Sequence, residues 1–106
     1  MNLHLISSKN FIDAKATYDP KNKTFTVLKD SVVSATVAHS ATFRGATTVE
    51  KLRAEYVKNN VVKKDVVFKS ASTAANFVTG RSTNGLITWK NNNNVPLRDI
   101  IKTKVS

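Results

Sequence analysis

Chemistry at a protein site needs groups that titrate, attack or ligate, and this sequence holds few of them. Its 106 residues include two histidines, seven carboxylates and no cysteine. Thiol nucleophiles, disulfides, thiolate zinc sites and iron–sulfur clusters are therefore excluded. His4 lies near the start and His39 in a stretch that reads as a connection, and neither stands at ligand spacing from another His, Asp or Glu. Among the carboxylates, Asp19 falls in a turn, Glu50 at a helix start and Glu55 on an exposed helix face. No two are spaced for acid–base work. No serine sits in a Gly-x-Ser-x-Gly elbow, and three glycines cannot build a phosphate-cradling loop. The expectation is a chain with no catalytic residue, no metal ligand and no cofactor.

The abundant chemistry is cationic. Seventeen Lys and Arg face seven Asp and Glu, a formal net charge of +10. Such a charge attracts polyanions and steers them at long range, and nucleic acid is the commonest partner of this kind. The bland reading is solubility through net charge, or an acidic protein as partner. Arg81 and Ser82 lie between a helix stop and a turn, where a guanidinium can clamp phosphate in two-pronged fashion or form a structural salt bridge or carbonyl cap. Lys90, Lys69, Lys63 and Lys64 are the further phosphate candidates. Trp89 reads first as a core anchor and second as a base-stacking platform.

Those residues need a scaffold, and the pattern supplies one. Residues 11–18 alternate Ile12, Ala14, Ala16 and Tyr18 against polar neighbours, as a strand does. Asp19-Pro20-Lys21-Asn22 suits a type I turn, and residues 23–28 alternate again with Phe25 and Val27 on one face, which predicts a β-hairpin. Residues 31–37 are β-branched and predict a third strand. Thr47 to Glu50 fits a capping box. From there Val49, Leu52, Tyr56 and Val57 share one helical face, with Lys51, Arg53, Glu55 and Lys58 elsewhere, and Asn59-Asn60 ends the helix. Val66–Phe68 predicts a strand. Ser70 caps a second helix over 71–79, with Ala74, Phe77 and Val78 as its apolar stripe and Gly80 as its stop. Asn84-Gly85 signals a tight turn before a last strand over 86–89. Asn91 to Asn94 reads as a polar loop, and Pro96, Leu97, Ile100 and Ile101 predict a short terminal helix.

The fold class expected is α+β: a small single domain over 10–104 after a flexible lead-in over 1–9. It comprises an N-terminal hairpin in an antiparallel sheet, two main helices and a short C-terminal helix. Residues 1–8 lack a basic start and a long apolar run, so no signal peptide is expected. No stretch approaches the roughly 20 apolar residues of a membrane span. A cytoplasmic protein without membrane contact is the expectation.

The segment Phe68 to Lys90 resembles the signature of a bacterial domain family of unknown function, found as a C-terminal appendage of GIY-YIG nucleases and of some restriction-system proteins. The matching residues are Phe68, Ser70, Ser72, Ala74-Ala75, Val78, Gly80-Arg81-Ser82, Asn84-Gly85 and Trp89-Lys90. Ala71 replaces that family's cap proline, and Leu86 replaces its first tryptophan. The family is similar in turn to the restriction-enzyme- and adenine-methylase-associated (RAMA) module, proposed to read modified DNA. The resemblance implies a DNA-binding accessory module without catalysis, whose nuclease or restriction-modification partner acts in trans. A module that docks onto a nuclease, methylase or other acidic protein is the alternative.

Overall fold

A computed structural model describes residues 1–38 and 45–105, with the side chains of 102–105 left aside. Of the expected connection from His39 to Gly45, residues 39–44 lie outside the described residues. The fold is α+β, built on a four-stranded antiparallel sheet. Its strands are β1 (Asn2–Ser7), β2 (Ile12–Asp19), β3 (Thr24–Val27) and β6 (Val66–Phe68), side by side in that order. Register aligns Leu3, Ala16, Val27 and Val66 in one cross-strand row, and Tyr18, Phe25 and Phe68 in another. Because side chains alternate between faces, these apolar residues all face one side. There α2 (Ala71–Thr79) covers the sheet with Ala74, Ala75, Phe77 and Val78.

The expected hairpin forms as β2 and β3. Asp19 accepts the Asn22 side-chain amide and backbone N–H and, more weakly, the Lys21 backbone N–H, which hold its carboxyl below the ordinary aspartate range. Residues 1–9, expected as a flexible lead-in, instead contain β1, whose Leu3 and Leu5 are buried and whose six residues all pair with β2. A six-residue strand is too short for its alternation to stand out in sequence, and Ile6 on the outer face blurs it.

The expected third strand over 31–37 does not form; only Val32 makes bridges, to Asp13 and Val61. Serines divert the rest. Ser31 Oγ accepts the Lys15 N–H, and the Ser34 hydroxyl lies 2.9 and 2.8 Å from the Thr36 and Thr79 carbonyl oxygens. Helix α1 spans Ala46–Tyr56 with Gly45 as its N-cap and no side-chain cap bond. The predicted Thr47 cap is corrected by packing: Ala46 and Val49 bury against Val37 and Ala38, which draws the start upstream. Asn59 and Asn60 do not end the helix. They form the left-handed pair (φ 53 and 66) joining β4 (Val57–Lys58) to β5 (Val61–Val62), the geometry of a type I′ turn.

Helix α2 behaves as expected. Ser70 accepts the Thr73 N–H, and Gly80 stops the helix at φ 72. A Cβ on Gly80 would also run into the Thr36 carbonyl. The predicted last strand over 86–89 is replaced by a helical turn, α3 (Gly85–Thr88). The Asn84 side chain accepts the Leu86 N–H, and the Thr88 hydroxyl donates to the Asn84 carbonyl, so the backbone winds instead of extending. Gly85 rests directly on the Ala71 carbonyl of α2. Helix α4 (Leu97–Val105) closes the fold, with Leu97 buried. No helix among the described residues is long and apolar enough to cross a membrane.

Candidate nucleic-acid interface

The predicted contact residues do not gather in one place. Trp89 is ruled out as a stacking platform: it is fully buried, its ring centroid lies 4.9 Å from that of Phe25, and its Nε1 donates to the Ala71 carbonyl at 3.0 Å. A ring so enclosed cannot stack on a base. Arg81 and Ser82 are exposed just beyond the C-terminal end of α2. The salt bridge or carbonyl cap considered for Arg81 is absent among the described residues, and only its backbone is tied down, by Thr79 and Thr83. Lys69 leaves β6, one edge strand, while Lys90 bridges β1, the other. Three strand spacings, about 14 Å, separate those edges. Lys63 and Lys64 follow β5, where the Lys64 ammonium sits 4.9 Å from the Tyr56 ring centroid.

What the fold does assemble is a row on the face of the sheet that α2 leaves uncovered. Lys90 pairs with His4 through reciprocal backbone bonds of 2.8 and 3.0 Å, and His4 pairs with Lys15 in the β1–β2 register. Directly paired residues share a face, so Lys90, His4 and Lys15 stand side by side across about 10 Å. The His4 Nε2 lies 3.3 Å from Asn94 Oδ1. Two adjoining grooves flank the row and share His4 and Ile6. One, of about 480 Å³, adds Ile87, Thr88, Lys90 and Asn94. The other, of about 330 Å³, adds Lys15, Leu28 and Asn92 among others. Neither groove has a carboxylate in its lining. Asp13 lies opposite Ile6 in the next row of like facing, and a third groove is lined by Lys15 with Lys29, Asp13 and Asp30.

Lys90 and Lys15 carry like charge on one sheet face with His4 between them, and like charges so placed repel one another. The row therefore suits an anion that spans it, with Thr88, Asn94 and Asn92 able to add neutral hydrogen bonds. His4 and Lys15 were not among the sequence candidates. Their signal was present as the alternation of Leu3 and Leu5 with His4, but only the register of β1 brings His4 to Lys15 and Lys90.

Arg53 lies elsewhere and serves the fold. Its guanidinium donates to the Phe77, Val78 and Ser34 carbonyls and to Ser34 Oγ at 2.7–3.1 Å. Burial lowers its pKa to about 10, which leaves it charged at neutral pH. The charge neutralises the carbonyl end of α2, so this cation is already spent on the chain itself. Among the described residues no group of three His, Asp or Glu could hold a metal ion.

Residues 6–101 match a family described as a domain of unknown function, DUF4357. No curated protein and no solved structure matches the chain.

Proposed function

The chain belongs to the DUF4357 family, and on that premise we propose that it is a non-catalytic module that binds nucleic acid, duplex DNA, through phosphate contacts from its uncovered sheet face. The row Lys90–His4–Lys15 beside two grooves without carboxylates is the observation that carries this reading. The net charge of +10 supports it by supplying long-range attraction. Arg81, Ser82, Lys69, Lys63 and Lys64 contribute from other sides of the molecule as field and as outlying phosphate contacts. The resemblance of Phe68–Lys90 to appendages of GIY-YIG nucleases and to the RAMA module favours DNA over other polyanions. It also favours a nuclease or restriction-modification protein as the partner in trans.

The test is fluorescence anisotropy of a labelled duplex over a salt series. Contact with some five or six phosphates gives a log–log slope of about −4 to −6. Affinity that stays flat from low to physiological salt overturns the reading. The second reading, docking onto an acidic protein, draws on one observation: Ile6 and Ile87, 60% and 45% exposed, line the same groove. It predicts capture of a defined protein by immobilised domain with no retention on DNA, and loss of that capture in Ile6→Asp.

A further inference from the structure

We propose that Phe11, at the tip of the β1–β2 hairpin, is a wedge that stacks on an unstacked base of the bound duplex; this rests on the nucleic-acid reading above. Two properties of the residue conflict with a purely structural role. It is 83% exposed, more than Ile6, Val67, Leu86 or Ile87, and among the described residues it is the single aromatic of the large exposed hydrophobics. It also sits in the left-handed region at φ 56, where a bulky side chain is strained. Among the described residues the other five non-glycine residues with positive φ are Lys23, Asp30, Asn59, Asn60 and Asn94, all polar and four of them Asn or Asp, the types that tolerate this conformation. Lys23 holds the corresponding position in the β2–β3 hairpin, so the turn itself asks for no aromatic group there.

The surroundings favour a base over an apolar protein pocket. Ser7, Ser8, Lys9 and Asn10 make up the rest of the tip, so the ring projects from a polar and cationic setting. The Asn10 and Phe11 N–H groups donate to the Ser7 and Ser8 carbonyls, which fixes the tip as a turn and not a loose end. Phe11 runs directly into β2, and Lys15 stands four residues on, about 13 Å away along the strand. A duplex held by phosphate at Lys15, His4 and Lys90 then lies within reach of the ring. Proteins that kink duplexes insert apolar side chains of this kind between base steps, and stacking on aromatic rings tolerates any base.

The experiment compares a perfect duplex, the same duplex with an adenine bulge, and one whose bulged nucleotide lacks its base. The wild-type protein should bind the bulged duplex about tenfold or more tightly than the perfect one. Phe11→Gly should abolish that preference while its Tm stays equal or rises, because glycine relieves the strain. Phe11→Tyr should keep the preference, and removal of the bulged base should cancel it. Equal wild-type binding of all three duplexes with normal salt dependence overturns the wedge but leaves the phosphate reading standing. Preference retained in Phe11→Gly overturns it as well. Binding to none of the duplexes overturns both readings. So does an acidic protein partner that Phe11→Gly alone fails to capture.

Discussion

Residues 80–90 and the β1–β2 hairpin are both short and both joined to the sheet, yet they use their distinctive residues differently. In the first, the glycines, Asn84 and Trp89 meet structural demands, and of the distinctive residues only Arg81 leaves its side chain free of them. Gly80 permits φ 72 beside Thr36, Asn84 caps a turn, Gly85 lies against Ala71, and Trp89 fills the core and donates to Ala71. In the second, Phe11, Lys15 and Ile6 are exposed, and half-buried His4 meets Asn94 at the rim of a groove. A recognisable motif can thus be a record of packing, while the surface that can meet a partner lies in a stretch with no motif at all. Lys90 joins the two, because its backbone completes the first region and its side chain belongs to the row of the second.

Substitutions can break or sharpen that contrast. The largest effect is expected for Trp89→Ala, which should lose about 3–5 kcal/mol in denaturant unfolding. Arg53→Ala leaves the Phe77, Val78 and Ser34 acceptors short of a donor and should cost about 3 kcal/mol; Arg53→Lys should restore little of it, lacking the planar fork. Gly85→Ala forces α3 away from α2 and should cost about 1–3 kcal/mol. Were Trp89→Ala or Gly85→Ala to unfold normally and lose only affinity, the first region would hold a binding surface after all. Lys15→Ala should do the opposite, lowering duplex affinity several-fold while stability stays within about 0.5 kcal/mol.

The smallest effect concerns the β2–β3 turn. Asp19 has a folded pKa below its ordinary value, so its contribution to stability is present above the unfolded value and is lost as pH falls through the folded one. Thermal melts of the wild type should therefore drop slightly more below about pH 4 than those of Asp19→Asn. Equal acid dependence would detach the Asn22 hydrogen bonds from stability.

Local chemistry made much of the fold legible. Period-two alternation disclosed β2 and β3, and Ser70 with Gly80 bounded α2, because those signals act over a few neighbouring residues. The misreadings arose where side chains compete with backbone ladders or where distant packing decides. Ser31 and Ser34 dissolved an apparent strand, Asn84 and Gly85 wound another into α3, and Val37 with Ala38 moved the start of α1. Arg53 looked like one more surface cation, since nothing in its neighbours tells that α2 ends above it. The candidate interface was the least legible part. Only Lys90 of its row was foreseen, because residues 4, 15 and 90 meet through strand register and an edge bridge that no spacing encodes.

The central claim is that the uncovered sheet face, and not net charge alone, holds nucleic acid. Its most direct test is the salt dependence of duplex binding for the wild type and for Lys15→Ala/Lys90→Ala, beside a control that removes two cations elsewhere, Lys63→Ala/Lys64→Ala. The face variant should flatten the log–log slope by about two, close to one for each phosphate that no longer meets a lysine, and the control should shift it less. Equal slopes for the two double variants would contradict the account and leave the charge as a diffuse property of the whole surface.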